Sequence, residues 1–264
     1  MKKAIGGIEI AFDDEGSGSP VVLLHGYPFN RTMWRDQMEE LKRHHRVIVP
    51  DLRGHGETTV TPGVVTMEDM ARDVAALLES LEVRRPALGG LSMGGYVALA
   101  YCSLFPVKAR AVMLADTRAQ GDTEEAKQNR EVQAEKALRE GMEGIADGLL
   151  PKLLAPETVS QRPDIVKRVR DMMVGTNPDG AAAALRGMAQ RPNRIPFLSN
   201  IIAPALILVG SEDALTPVAD SEVMHREIGG SRLRIIEGAG HGSNIEKPEE
   251  FNRALVEFLR DIEV

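Results

Sequence analysis

Cysteine is nearly absent from this sequence, which contains one, Cys102, among 264 residues. A single thiol cannot form a disulfide within the chain, and it cannot supply the paired cysteines of a structural zinc site. Cys102 also falls on the apolar side of a predicted helix, where a packed, unreactive thiol is expected. These features argue against a disulfide-stapled secreted domain.

Long hydrophobic runs and an excess of positive charge are missing as well. Apolar runs such as 21–24 and 203–209 are far too short to cross a bilayer, and residues 1–16 lack the apolar stretch of a secretory signal. Basic residues number 32 against 39 acidic ones, for a net charge of -7, and no run of Lys or Arg exceeds two. We therefore expect no membrane and no nucleic acid as a partner, and a cytoplasmic protein.

What is present is an alternation of short apolar runs with longer segments of helical periodicity. This pattern is typical of an α/β fold with a mainly parallel sheet and crossover helices. Several runs are apolar at every position, as burial between two helical layers requires. Strands are predicted at 8–13, 21–25, 47–50, 86–91, 109–115, 205–210 and 233–237, and helices at 31–43, 67–81, 93–105, 217–228 and 248–262.

The alternation is interrupted between residues 119 and 198, where charged residues interleave with apolar ones at helical spacing and no strand is predicted. Asp122 with Glu125 resembles a capping box, and Asn177 resembles another helix start, so we expect three or four helices. Residues 1–118 and 199–264 are predicted to form the core, and residues 119–198 a helical cap over the site. The alternative is a helical extension that only completes the fold.

The strongest chemical signal is the sequence G-L-S-M-G-G at 90–95, between a predicted strand and a predicted helix. A nucleophile at such a turn is held in a strained conformation, and glycines are needed nearby because the backbone crowds itself. The free amides at the helix start favour developing negative charge. We predict that Ser92 is the nucleophile and that the amide of Met93 donates to an oxyanion.

A second signal lies where the strand 21–25 ends in a His-Gly turn, which can aim backbone amides inward. Tyr27 is predicted as the second oxyanion donor, and Phe29 beside it as a substrate contact. His25 precedes the serine, and we interpret it as a residue that bonds the loop rather than as the catalytic base.

Two further signals follow Ser92 along the chain. Asp213 comes directly after the apolar strand 205–210 and is predicted to orient the base, while His241, flanked by glycines, is predicted to be that base. The order serine, acid, histidine suits a hydrolase built on a parallel sheet.

Together these segments resemble the α/β-hydrolase superfamily over nearly the whole chain. Within it, the sequences around 31–34, 49–54 and 90–98 are similar to bacterial carboxylesterases close to the 3-oxoadipate enol-lactonase-like branch. The resemblance implies an α/β-hydrolase fold with a cap, and hydrolysis of a carboxylic ester. Serine at position 92 disfavours haloalkane dehalogenases and epoxide hydrolases, which have aspartate there. The family landmarks are His25-Gly26, the turn 51–56, the turn 90–95, Asp213 and the stretch 240–248. Asp116, at the end of the apolar run 112–115, is a second position for the acid that the family resemblance also implies.

The expected reaction proceeds through an acyl-enzyme, requires no metal or cofactor, and speeds up with pH as His241 becomes neutral. The expected partner is a small-molecule ester of small to medium acyl chain, and the protein a monomer or small homo-oligomer. Apolar cap residues are candidates for the pocket wall: Leu149, Leu150, Leu153 and Met173.

Other functions stay open at this point. An enol-lactonase acting on a carboxylate-bearing lactone would need a cation in the pocket, for which Arg186, Arg191 and Arg194 are available. A perhydrolase side activity would follow if peroxide replaced water in deacylation. A ligand receptor on the same fold would keep the three residues with little turnover.

Overall fold

Eight strands form one sheet in the computed structural model, which describes residues 1–262. The seven predicted strands are all present. The edge strand β1 was not predicted, because it is short and partly exposed and carries no apolar run. The strands are β1 (Lys2–Ile5), β2 (Ile8–Gly16), β3 (Pro20–Leu24), β4 (Arg46–Pro50), β5 (Ala87–Leu91), β6 (Ala111–Ala115), β7 (Ala205–Gly210) and β8 (Arg232–Ile236).

The sheet order is β1-β2-β4-β3-β5-β6-β7-β8; β2 is antiparallel to both of its neighbours, β1 and β4, and β3 to β8 are parallel to one another. The carboxyl ends of the parallel strands therefore meet at one edge of the sheet, where ligands bind in open α/β folds. The predicted site residues follow those ends: His25 after β3, Ser92 after β5, Asp116 after β6, Asp213 after β7 and His241 after β8.

Eleven α-helices accompany the sheet within residues 1–262, and the five predicted core helices are among them. Residues 31–34 form a 3₁₀ turn instead of the start of a longer helix. The helices are α1 (Arg35–Leu41), α2 (Met67–Ser80), α3 (Met93–Leu104), α4 (Glu124–Glu140), α5 (Glu143–Leu153), α6 (Pro156–Gln161), α7 (Pro163–Val174), α8 (Pro178–Ala189), α9 (Val218–Glu227), α10 (Ser243–Glu246) and α11 (Pro248–Asp261).

Each face of the sheet packs on its own apolar cluster. Along β3, Val22 and Leu24 join the cluster that contains α2 and α3 residues, while Val21 and Leu23 join the cluster of α1 and α11. Successive side chains of a strand point to opposite faces, so a strand covered on both sides must be apolar throughout. Cys102 on α3 is buried in the first cluster.

The segment between β6 and β7 contains five α-helices, α4 to α8, where three or four were expected. The predicted capping box at Asp122 is wrong: Thr123 caps α4 by accepting from the Ala126 amide at 3.2 Å. Asp122 is bound by arginines instead. Asn177 caps α8 as expected, accepting from the Asp179 amide at 2.9 Å. No helix within residues 1–262 is long and apolar enough to cross a membrane.

Candidate active site

Ser92 lies at the turn between β5 and α3, in a conformation that non-glycine residues seldom adopt, with φ 53° and ψ -114°. Its amide donates to the Ala115 carbonyl at 2.9 Å, and its carbonyl accepts from the Thr117 hydroxyl at 2.8 Å. Gly90 must lack a side chain, because a Cβ there would collide with the carbonyl of Gly94. The turn therefore holds Ser92 in a strained position, as functional turns do.

His241 lies on the loop after β8 and is oriented by a carboxylate. Its Nδ1 is 2.8 Å from Oδ2 of Asp213 and 3.2 Å from Oγ1 of Thr216. Asp213 also accepts from the amides of Leu215 (2.8 Å) and Thr216 (2.9 Å) and from the Thr216 hydroxyl (2.7 Å).

These contacts set the charge of Asp213. Burial opposes its ionisation, but the charge and hydrogen bond of His241 and the bonds from Thr216 outweigh burial and hold the pKa of Asp213 below its ordinary value. An ionised Asp213 keeps the imidazole proton on Nδ1 and leaves Nε2 free to accept a proton.

Asp116, the alternative acid, is used differently. It is fully buried after β6, where Oδ1 accepts from the Gly210 amide at 2.8 Å and Oδ2 accepts from the Ser243 hydroxyl. Burial raises the pKa of Asp116 well above its ordinary value, and the charge of Asp213 raises it further. Asp116 therefore favours its neutral form and links two loops, one leading to Asp213 and one following His241.

His25 holds the loop after β3. Its Nδ1 lies 2.9 Å from the Gly26 carbonyl, and its Nε2 accepts from the Leu52 amide at 2.9 Å. Burial lowers the pKa of His25 to about 4. Both ring nitrogens of the neutral imidazole are engaged, as expected for a residue that bonds the loop.

Tyr27 lines the same cavity as Ser92 and His241. Its hydroxyl is buried without a hydrogen-bond partner among residues 1–262, and burial raises its pKa, so that it stays a donor. Met93 is the first residue of α3, where intrahelical bonding leaves the amide unused. The assignment of the Tyr27 and Met93 amides to an oxyanion stays a prediction.

The cavity that contains Ser92 and His241 has a volume of about 350 Å³ and lies between the sheet edge and helices α4, α5 and α8. Its wall is mostly polar along α4, and α5 and α8 contribute apolar side chains such as Leu149, Leu153 and Leu185. The other lining residues are Tyr27, Tyr96, Arg118, Asp122, Ala126, Asn129, Arg130, Gln133, Lys136, Gly144, Ile145, Gly148, Leu149, Lys152, Leu153, Leu185, Met188, Leu215 and Thr216. Within residues 1–262, no group of His, Cys, Asp and Glu side chains could hold a metal ion.

The structure corrects part of the predicted pocket wall. Leu149 and Leu153 line the cavity, but Leu150 and Met173 pack in the core. Phe29 is also absent from the lining: it is 1% exposed and belongs to the apolar cluster of α1 and α11. A large apolar side chain gains more from full burial in a core than from a half-polar wall.

The cations of the cavity are different from those expected. Lys136 and Lys152 line it, and neither has a carboxylate within 4 Å among the described residues. Of the three arginines that were considered, none lines this cavity: Arg186 pairs with Glu131, Arg191 with Asp122 and Arg194 with Glu68.

Arg118 and Arg130 also line the cavity, and both are bound to Asp122, whose side chain is fully buried. Burial opposes ionisation of Asp122, but Arg130 and Arg191 lower its pKa to about 2. One carboxylate thus faces three guanidinium groups, and Asp220 is a further acid near Arg118, at 4.0 Å. The cluster of Asp122 and its arginines adds positive charge to the cavity wall.

Sequence reasoning missed the polar wall that α4 contributes. Ala126, Asn129, Arg130, Gln133 and Lys136 follow one another at spacings of three, one, three and three residues, which places them on one face of the helix. The spacing is readable in the sequence, but a polar stripe facing a cavity looks the same as one facing water.

The comparison with known families agrees with this architecture. A family model described as the alpha/beta hydrolase fold matches residues 19–248. The chain belongs to the α/β-hydrolase family. A thermophilic esterase from Thermogutta terrifontis, whose structure was studied with malate bound, is similar to it with 44% identity and a TM-score of 0.96, over 100% of this chain and 97% of that one.

Two enol-lactonases are also similar to this chain. The structure of the enzyme from Burkholderia xenovorans matches with 30% identity and a TM-score of 0.92, over 98% of this chain and 100% of that one. The 3-oxoadipate enol-lactonase 2 of Acinetobacter baylyi is 30% identical over 226 residues, which cover 86% of this chain and 83% of that protein.

Proposed function

We propose that the protein is a carboxylesterase that cleaves small to medium esters through an acyl-enzyme. The hydroxyl of Ser92 attacks the ester carbonyl while Nε2 of His241 accepts its proton. Asp213 stabilises the imidazolium that forms, and the amides of Tyr27 and Met93 donate to the oxyanion.

The same residues complete the reaction. His241 gives its proton to the leaving alcohol as the ester C–O bond breaks, and the acyl group stays on Ser92. His241 then takes a proton from water, whose oxygen attacks the acyl carbon. When the acyl bond to Ser92 breaks, His241 returns the proton to the serine oxygen and the carboxylic acid leaves.

One observation carries this proposal. The imidazole of His241 is bound through Nδ1 to Asp213 at 2.8 Å, and it shares a cavity of about 350 Å³ with Ser92. A nucleophile and an oriented base in one concave site are the parts that acyl transfer requires. The similarity to an esterase at 44% identity supports the same reaction.

The test replaces the nucleophile. Ser92→Ala should lower kcat for a chromogenic ester by about 10⁴-fold or more with an unchanged circular dichroism spectrum. Ser160→Ala, which removes the same atom from an exposed serine on α6, should retain full activity. A phosphonate should label one serine per chain in the wild type and none in Ser92→Ala. Full activity of Ser92→Ala would refute the proposal, and a wild type that binds esters without turnover would indicate a receptor.

A second function has its own support. A carboxylate-bearing lactone needs a cation in the pocket, and Lys136 and Lys152 line the cavity without acidic partners within 4 Å among the described residues. Two of the similar proteins are enol-lactonases, and malate, a dicarboxylate, was bound in the similar esterase. Comparison of kcat/KM for a neutral aryl ester and for such a lactone separates the two functions: the larger value identifies the preferred substrate.

A further inference from the structure

A buried carboxylate that takes no part in the proposed reaction joins the His241 loop to the cap. Glu246, at the end of α10, is 4% exposed. Its Oε1 accepts from the amide of Gly240 at 2.8 Å, and its Oε2 accepts from the amide of Ala155 at 2.8 Å. Thr158 on α6 also hydrogen-bonds to it. Gly240 directly precedes His241, and Ala155 directly follows the cap residues 153–154.

A second bond acts on the other side of the histidine. The amide of Gly242, which directly follows His241, donates to the Leu153 carbonyl at 2.8 Å. Leu153 itself lines the cavity. The two neighbours of His241 are therefore both tied to residues 153–155, one directly and one through Glu246.

The hydrogen bonds to Glu246 are best accepted by a carboxylate. Glu246 has no cation within 4 Å among the described residues, so its burial is costly and only its hydrogen bonds offset that cost. Burial raises its pKa, whereas the bonds from Thr158, Ala155 and Gly240 favour the ionised form. The two backbone amides donate to different oxygens of the carboxylate. Glutamine could accept from one of them but would present its own N–H groups to the other.

We propose that Glu246 is a positioning residue. It fixes the His241 loop to residues 153–158 of the cap and thereby holds the imidazole of His241 where it can accept the proton of Ser92. This inference rests on the proposed esterase function. It predicts that the position of the cap affects the chemical step through His241, rather than only enclosing the substrate.

The test compares Glu246→Gln with a variant that removes a different link between cap and core. Arg168 on α7 pairs with Asp36 at 2.8 Å, and Arg168→Gln removes that pair without changing a hydrogen-bond partner of Glu246. Glu246→Gln should lower kcat by about 10- to 100-fold, because a displacement of about 1 Å costs this much, and leave KM within about twofold. Arg168→Gln should change both by less than about twofold.

Thr158→Val is a milder change at the same carboxylate and keeps its charge. It should lower kcat by roughly two- to fivefold if the hydrogen bond contributes about 0.5–1 kcal/mol to positioning. It also keeps the proposal testable if Glu246→Gln does not fold. The rate of serine labelling by a neutral phosphonate should fall in parallel with kcat.

The outcomes are distinct. An inactive, unlabelled wild type would refute the esterase function itself. An active wild type for which Glu246→Gln and Thr158→Val match Arg168→Gln, or change only KM or the melting temperature, would refute the role of Glu246 and leave the esterase function intact.

Discussion

Two buried carboxylates, Asp213 and Asp116, follow neighbouring strands of the sheet, and their surroundings shift their pKa values in opposite directions. Asp213 accepts hydrogen bonds from Thr216 and His241, which lower its pKa. Asp116 is fully buried and near the charge of Asp213, which together raise its pKa. A pair of acids whose environments separate their pKa values in this way can divide two roles, one electrostatic and one structural.

We predict that Asp213→Asn and Asp116→Asn differ sharply in activity. Asp213→Asn removes the charge that stabilises the imidazolium and should lower kcat by about 10²- to 10⁴-fold. In Asp116→Asn the amide keeps the shape of the acid: its oxygen can accept from Gly210, and its NH₂ can donate to the Ser243 oxygen once that hydroxyl rotates to accept. This variant should keep kcat within about tenfold. Steady-state kinetics on one chromogenic ester tests both, and equal losses would contradict the assignment.

The sequence was sufficient to select Ser92, Asp213 and His241 as candidates, because each comes shortly after a predicted strand with glycines or acids at recognisable spacing. Their catalytic roles stay predictions. It was not sufficient for Glu246, because its partner Ala155 lies 91 residues away along the chain and only the folded structure brings donor and acceptor together. It was not sufficient either for the Tyr27 hydroxyl, which is buried without a hydrogen-bond partner among the described residues.

Two buried histidines should make stability depend on pH. Burial lowers the pKa of His25 to about 4 and of His55 to about 3, and the nearby His25 lowers that of His55 further. In the unfolded chain both take up a proton near pH 6.5. Between about pH 6.5 and 4 the unfolded state therefore binds more protons, and the contribution of these histidines to stability is lost as the pH falls.

We predict that His55→Gln has a shallower dependence of unfolding free energy on pH than the wild type, by on the order of 3 kcal/mol over this range. His44→Gln, at an exposed histidine, should keep the wild-type slope. Urea unfolding at pH 7.5, 6.5, 5.5 and 4.5, a series in steps of about one pH unit, measures the dependence of the unfolding free energy on pH for each variant. Parallel curves for the wild type and His55→Gln would contradict the prediction.

At the scale of elements, the cap meets the core through backbone contact. Helix α8 lies so close to the segment before α2 that a Cβ on Gly187 would collide with the Val65 carbonyl. The amide of Val65 donates to the Ala183 carbonyl at 3.1 Å in the same place. The sequence could not indicate this contact. A glycine inside a predicted helix can mark a close approach of another backbone, but it can equally be a residue that only lowers the stability of the helix.

We predict that Gly187→Ala destabilises the protein by roughly 1–3 kcal/mol, because the backbone must shift to admit the methyl group. Gly148→Ala in α5 is the matched change, since a Cβ there meets no atom within 4 Å. It should stabilise the protein by up to about 1 kcal/mol through helix propensity. Urea unfolding of the two variants measures both changes in the free energy of unfolding. Changes of the same sign would contradict the predicted contact between Gly187 and the Val65 carbonyl.

The presence of strands and helices was easier to predict from the sequence than the number of helices in one segment. The core strands and helices were recognised from periodicity, whereas the cap was expected to contain three or four helices and contains five, α4 to α8. The short helix α6 is separated from α7 by a single residue, Arg162, so helical spacing alone does not divide the two. Proline at the first position of each helix marks the break.

At the scale of the whole molecule, charge is distributed unevenly. The net charge of -7 lies in residues 1–118 and 199–264, which contain 27 acidic and 20 basic residues, whereas residues 119–198 contain 12 of each. The cavity wall nevertheless contains four cations and one acid. An anionic substrate therefore meets a negative molecule with a locally positive cavity.

We predict that kcat/KM for an anionic ester depends on salt more than that for a neutral ester, because the Debye length shortens from about 30 Å at 0.01 M to about 8 Å at 0.15 M. Lys136→Gln should lower the value for the anionic ester by roughly fivefold, equivalent to about 1 kcal/mol. Lys127→Gln on the same helix, where Lys127 pairs with Glu124, should have no such effect. Equal salt dependence for both esters would exclude a local role of the cavity charge.

The lone cysteine has a practical consequence. Cys102 is packed on α3, and burial raises the pKa of its thiol to about 12, so it has little thiolate to react with maleimides. Cysteines introduced at the exposed Val132 on α4 and Ile202 before β7 would be the reactive thiols of the chain. A donor and an acceptor fluorophore attached there would report the distance between cap and core in single molecules, without any prior removal of native thiols.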